Sequence, residues 1–158
     1  MLGDLAFGSP FGMLQSCRDA APVAVSHKDA IAGYGGEDKV EVEYLPAVQV
    51  INDRGTYSAS MGVLAPWMRP LAKKLPWFSK GNQAVKSLAG IAIAAISQRL
   101  KMPTDRRDLL GKLQEGKDDE GKPMGKEELT AEALTELIAG SDTTSKWVFY
   151  MISFQTQV

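Results

Sequence analysis

Residues 127–144 constrain this chain more than any other stretch. Between Glu127 and Ile138 the apolar side chains fall at Leu129, Ala133, Leu134, Leu137 and Ile138, the i, i+4 rhythm of one helical face. Glu127, Glu128 and Glu132 crowd the first turns, where carboxylates oppose the positive end of the helix dipole. This strong helix former then meets Ala139-Gly140-Ser141-Asp142-Thr143-Thr144, a run that weakens a helix. The Thr143 hydroxyl can turn back onto the carbonyl of Ala139, and that of Thr144 onto Gly140. Such back-bonding loosens the ladder and predicts a bend or a wide turn. Gly140 lets a flat ligand approach the backbone, with the acid of Asp142 and the hydroxyl of Thr143 beside the opening. Considered alone, the same run also reads as a capping or fraying signal.

Composition limits what surrounds this helix. A chain of 158 residues has room for one domain with a real core. Apolar residues make up 44% and the net charge is −1, which indicates neither disorder nor a surface for polyanions, so no nucleic-acid partner is expected. The single cysteine, Cys17, excludes an internal disulfide and fits a reducing compartment. The N-terminus lacks a secretory pattern. The longest apolar run, Leu88 to Ile96, is nine residues, well short of a membrane span. The chain therefore reads as soluble or, at most, peripheral to a membrane.

In chain order, Met1 to Leu14 reads as a helix end running into a turn punctuated by Gly8, Pro10 and Gly12. No lysine follows in a phosphate-binding pattern. Residues 18–43 read as loop, and the one histidine, His27, lacks partners for a metal site. Tyr44 to Gly62 reads as a helix with Pro46 in its first turn, Val48, Ile51 and Tyr57 buried, and an interruption at Gly55. Residues 64–80 interleave Trp67, Trp77, Phe78 and leucines with Arg69, Lys73, Lys74 and Lys80. That composition suits a membrane interface. Prolines 66, 70 and 76 break any continuous amphipathic helix, which favours the reading that the tryptophans plug the core. Asn82 to Leu100 is a helix with Val85, Leu88, Ile91, Ala92, Ile96 and Leu100 in its stripe. Asp105 to Glu115 forms a short helix with Leu109, Leu110 and Leu113 inward, and Gly116 to Gly125 a charged, solvated loop. The class is mainly α.

Ala139-Gly140-Ser141-Asp142-Thr143-Thr144 in mid-helix resembles the oxygen-activation motif of the long central helix in the cytochrome P-450 family, (Ala/Gly)-Gly-x-(Asp/Glu)-Thr-(Thr/Ser). Asp4-Leu5-Ala6-Phe7-Gly8-Ser9-Pro10-Phe11-Gly12-Met13-Leu14 and Arg107-Asp108-Leu109-Leu110 look like further segments of that family, in the expected order. Together they look most like its fungal benzoate para-hydroxylase branch. The resemblance covers residues 2 to 145, a middle portion of that fold. It implies one partial cytochrome P-450 domain over 1–158, built of the middle helices up to the central one with no substantial sheet. Residues 146–158 depart from the pattern, as a divergent end or as misread coding sequence.

The resemblance also implies roles. Heme would lie against Ala139, Gly140, Thr143 and Thr144, and Ile138 and Ala139 would border the substrate. Asp142 and Thr143 would be catalytic, Thr143 hydrogen-bonding the reacting oxygen while Asp142 relays protons from solvent. An aromatic carboxylate such as benzoate would be hydroxylated with electrons from an NADPH-dependent cytochrome P-450 reductase. In that family residues like 64–80 touch the bilayer, and an N-terminal segment anchors members in the endoplasmic reticulum. The family's Phe-x-x-Gly-x-Arg-x-Cys heme-ligand loop and its Glu-x-x-Arg pair do not occur in this sequence, and Ser16-Cys17-Arg18 reads as an ordinary free cysteine. The other reading is a catalytically inactive helical fragment acting through protein contacts.

Overall fold

The computed structural model describes residues 2–36, 40–102, 107–117 and 119–155, and of Leu2 and Asp142 the backbone alone. Along the chain run α1 (Leu2–Phe7), α2 (Met13–Ser16), β1 (Ala21–Ala24), α3 (His27–Ala32), β2 (Val42–Leu45), α4 (Ala47–Val63), α5 (Arg69–Ala72), α6 (Ser79–Lys101), α7 (Leu109–Glu115) and α8 (Lys126–Gln155). The expectation of a mainly α chain without a substantial sheet holds, since the one sheet among the described residues is the antiparallel pair β1–β2, with Ala21 opposite Leu45 and Ala24 opposite Val42.

α6 is the centre of the body. It packs against β1, α3, α4 and α8. Its middle is apolar almost all round, and every residue from Gly90 to Ser97 is buried, the pattern of a helix enclosed by neighbours rather than one lying on a surface. Leu88, Ile91, Ile93 and Ile96 are nearly inaccessible, and each contributes on the order of 1.5–3 kcal/mol by leaving water. Gly90 permits a close approach of β1, because a Cβ there would stand 2.5 Å from Val23 Cγ1 and 3.1 Å from the Ala24 carbonyl oxygen. The narrow side of α6 is thus where β1 rests.

Polar ties fix the periphery. The Asp19 carboxylate accepts from the Val48 amide at 3.1 and 3.2 Å, capping the N-terminus of α4 from the chain that leads into β1. Thr130 Oγ1 donates to the Lys126 carbonyl at 2.8 Å, so in its 3.0 Å contact with Tyr34 the phenol must be the donor. Lys126 Nζ donates to the Ala32 carbonyl at 3.0 Å, and the first turn of α8 is pinned to the end of α3.

The outer half of α4, α5 and the start of α6 form an arm. No residue between Ile51 and Ala84 belongs to the main core cluster. The arm carries its own contacts instead. Tyr57 meets Phe78 edge-to-face at 6.0 Å and donates to Asn82 Oδ1 at 2.7 Å. Asn82 Nδ2 donates to the Lys73 carbonyl at 3.1 Å, and Lys80 pairs with Asp53 at 3.1 Å.

Several expectations need correction. Tyr44 lies in β2, and α4 begins only after Pro46. Gly55 does not interrupt α4, which runs on for 17 residues. Val48, Val85 and Leu109 are exposed, Val48 because its helix end is turned toward the Asp19 cap. Residues 18–43, read as loop, contain β1, α3 and the start of β2. The short helix read from Asp105 begins, among the described residues, at Leu109 with Asp108 as its cap; Asp105 lies outside the described residues. Trp67 and Trp77 do not plug the core. They are 77% and 87% exposed, because prolines 66, 70 and 76 turn the connection outward into the arm.

Candidate functional site

α8 is a single helix of 30 residues, about 45 Å long at the α-helical rise. Leu129, Ala133 and Leu137 are its buried line, flanked by half-buried Leu134 and Ile138 packed against the core. The expected break at Ala139–Thr144 does not occur. Helical structure is continuous through these residues, and the Leu137 side of the helix is held by the body.

The hydroxyls still turn back. Thr143 Oγ1 donates to the Ala139 carbonyl at 2.5 Å, and Ser141 Oγ donates to Leu137 O. Thr144 makes no such bond to Gly140 among the described contacts, contrary to the expectation. Ala139, Thr143 and Thr144 are exposed and Gly140 is half-buried. Residues three and four apart share a helix face, so Ala139, Gly140, Thr143 and Thr144 form one shallow strip of small side chains. Ile138 flanks it on the other side of Ala139. Asp142 is in the helix, with its side chain outside what the structure describes. The Thr143 hydrogen is committed to Ala139 O, so its outward lone pairs act as an acceptor.

One turn before Gly140 on the same edge stands Glu136, which sequence reasoning did not single out. Its Oε2 is buried without a hydrogen-bond partner. Burial, and then repulsion from Glu132, raises its carboxyl pKa above the ordinary range.

The Leu137–Ser141 side of α8 meets a cavity of about 360 Å³. Among the described side chains of the motif, Ser141 lines it, beside Leu137, Leu88 and Ile91. No sequence signal marked this cavity, because its walls come from the α1–α2 connection, α4, α6 and α8 together. Cys17 lies elsewhere, exposed after α2, its Sγ 3.6 Å from the Leu14 carbonyl oxygen. Among the described residues no group of three His, Cys, Asp or Glu side chains could hold a metal ion, and no helix is long and apolar enough to cross a membrane.

A mostly helical body whose longest helix carries Ala-Gly-x-Asp-Thr-Thr fits a middle portion of the cytochrome P-450 fold. The chain belongs to the cytochrome P-450 family, whose sequence profile matches residues 1–154. Two proteins called benzoate 4-monooxygenase bphA from Aspergillus niger are each 47% identical over 151 residues, covering 92% of this chain and 27% of the relative. The trichothecene C-15 hydroxylase of Fusarium sporotrichioides is 29% identical over 148 residues, covering 92% of this chain and 25% of that protein. The chain thus spans about a quarter of the length of the curated relatives it matches. No solved structure matches it.

Proposed function

We propose that this chain forms the oxygen-side helix and its supporting core in a heme monooxygenase that hydroxylates an aromatic carboxylate of the benzoate type. The observation that carries the reading is the strip Ala139, Gly140 and Thr143, small, accessible and set on a helix that stays intact behind it. The 47% identity to the Aspergillus niger benzoate 4-monooxygenases supports the substrate class. Electrons would come from an NADPH-dependent cytochrome P-450 reductase.

The residues fit one face of heme. Ala139 and Gly140 have no bulk to clash with a flat macrocycle, and Ala139 and Thr143 are exposed beside half-buried Gly140. Bound there, heme would supply the activation of dioxygen. Thr143, with its own hydrogen held by Ala139 O, would hold a proton-bearing oxygen in place by accepting from it. Asp142 would deliver protons from solvent toward that position, and Ile138 with Ala139 would border the ring of the substrate. Cys17, exposed after α2 with its Sγ on the Leu14 carbonyl, does not belong to this face. An axial thiolate would come from the family's cysteine loop.

Two further parts of the reading concern surfaces. The exposed Trp67 and Trp77 with Lys73 and Lys74 on the arm support peripheral membrane contact through 64–80. We further infer that residues 146–158 are a divergent tail by sequence, although the family profile runs on to residue 154. Trp147, Phe149, Tyr150, Ile152 and Phe154 there are all exposed, which also favours a second reading, that the chain is a catalytically inert fragment with contact roles only.

Two experiments separate the readings. Thr143→Ala in a holoenzyme carrying the thiolate loop should lower hydroxylation on the order of 10²-fold while peroxide release rises; unchanged coupling sinks the role of Thr143. Hemin titrated into the 158-residue chain should perturb the amides of 138–144 without a thiolate-type Soret band under carbon monoxide. If those amides do not respond, the strip is no heme face and the inert reading stands.

A further inference from the structure

The cavity behind α8 has a chemistry of its own. Phe11 from the α1–α2 connection, Met13 from α2, Ile51 from α4, Leu88 and Ile91 from α6, and Leu137 from α8 line a half-open cavity of about 360 Å³. This exceeds the roughly 150 Å³ that suffices for benzene in an apolar cavity, and it opens to solvent past Leu14, which is 90% exposed. The wall nearest the mouth is set in advance. The Phe11 ring stacks edge-to-face on Phe7 at 6.2 Å and lies so close over Gly3 that a Cβ there would stand 2.9 Å from it.

Polarity selects the occupant. Among the described residues no lysine, arginine or histidine lines the space, so a carboxylate would be buried without a counter-charge, a costly transfer. The benzoate-type substrate is therefore excluded from this cavity, which also lies on the face of α8 away from Ala139 and Thr143. The polar side chains among the lining are Gln15 and Ser141. Gln15 is exposed, whereas Ser141 is half-buried. The Ser141 hydroxyl has given its only hydrogen to Leu137 O, so toward the cavity it can only accept. We propose that this cavity is a second binding site, for an uncharged single-ring aromatic carrying one hydrogen-bond donor, with the ring among Phe11, Leu88 and Ile91 and the donor on Ser141 Oγ. The inference does not depend on heme or on the proposed activity.

Phenol and toluene, alike in size and differing in the donor, are the probes. Methyl-resolved NMR of the 158-residue chain should show saturable phenol shifts at Ile51, Leu88, Ile91 and Leu137, leaving distant methyls such as Val63 unmoved. Ser141→Ala should weaken phenol about five-fold, one neutral hydrogen bond, and leave toluene unchanged. Ile91→Phe, which fills the space, should abolish both. A flat titration in the parent chain, shifts spread evenly over the surface, or equal weakening of both probes by Ser141→Ala overturns the proposal. The alanine variant keeps that test intact even if Ile91→Phe fails to fold.

Discussion

Arg99 and Asp108 form a nearly inaccessible ion pair in which Arg99 Nε donates to Asp108 Oδ2, the two side chains being 12% and 2% exposed. The other carboxylate oxygen, Oδ1, accepts from the Gly111 amide at 2.7 Å and so caps α7. A Cβ on Gly8, which stands at φ +66, would reach 2.7 Å from Oδ2. One aspartate therefore ties the end of α6 to the start of α7, with Gly8 of the turn after α1 lying close against it. Arg99→Met should cost about 2 kcal/mol, because it takes the charged donor from a buried carboxylate that keeps the Gly111 amide, and urea unfolding measures this directly. A loss below about 1 kcal/mol, the worth of an exposed pair, would show that the pair is solvated.

Two glycines in helices should respond to alanine with opposite signs. Gly55 in α4 has nothing within 4 Å of a built Cβ, so Gly55→Ala should stabilise by about 0.5–1 kcal/mol through helix propensity. Gly90 in α6 would drive its Cβ to 2.5 Å from Val23. Gly90→Ala should destabilise by about 1–3 kcal/mol through overpacking. Thermal melts of the two variants check the pair, and a stabilised Gly90→Ala would mean that β1 does not rest on α6.

Glu136 sets a pH dependence. Its folded carboxyl pKa lies above the ordinary value because of burial first and Glu132 second. The folded state thus binds the proton more tightly than the unfolded chain does. The associated stability is fully present below the ordinary carboxyl pKa and is lost as pH rises through the raised one. Glu136→Gln should remove that slope and stabilise the chain at neutral pH by about 0.5 kcal/mol, a figure kept small because the side chain is only half-buried. Melts from acid to neutral pH compare the two, and parallel curves would refute the assignment.

The arm should bind anionic vesicles. Replacing both Trp67 and Trp77 by Ala should lower partitioning about ten-fold, and added salt should weaken what remains through Lys73 and Lys74. Cosedimentation with phosphatidylserine vesicles reads both effects. Equal binding of parent and double variant would place the contact elsewhere.

The parts of the fold that could be read from the sequence are those where one helix carries its own evidence. The spacing of Leu129, Ala133 and Leu137 marks α8, and the Leu88–Ile96 run marks α6. What could not be read depends on partners distant in the chain. β1 is four residues long and contains Pro22, and its pairing is decided by Val42–Leu45, some twenty residues on. The composition of 64–80 announced an amphiphilic segment, yet the side its tryptophans face is set by how α4 meets α6. At the site, Ala139–Thr144 was legible as a motif, since small residues and hydroxyls in mid-helix need a reason. The persistence of the helix there was not, because it comes from the packing of Leu137 on the body. Glu136 and the cavity gave no local signal at all.

The separation between arm and body has a consequence for how the molecule breathes. Tyr57, Phe78, Asn82 and Lys80 hold the arm to itself, and no residue between Ile51 and Ala84 joins the main core. Each of α4 and α6 is therefore shared between two cooperative units along its own length. The arm can open while Gly90–Ser97 stay closed, so amides of the arm exchange with solvent through small local openings and those of mid-α6 only on global unfolding. A helix continuous to the eye is, in its thermodynamics, divided near Ala84.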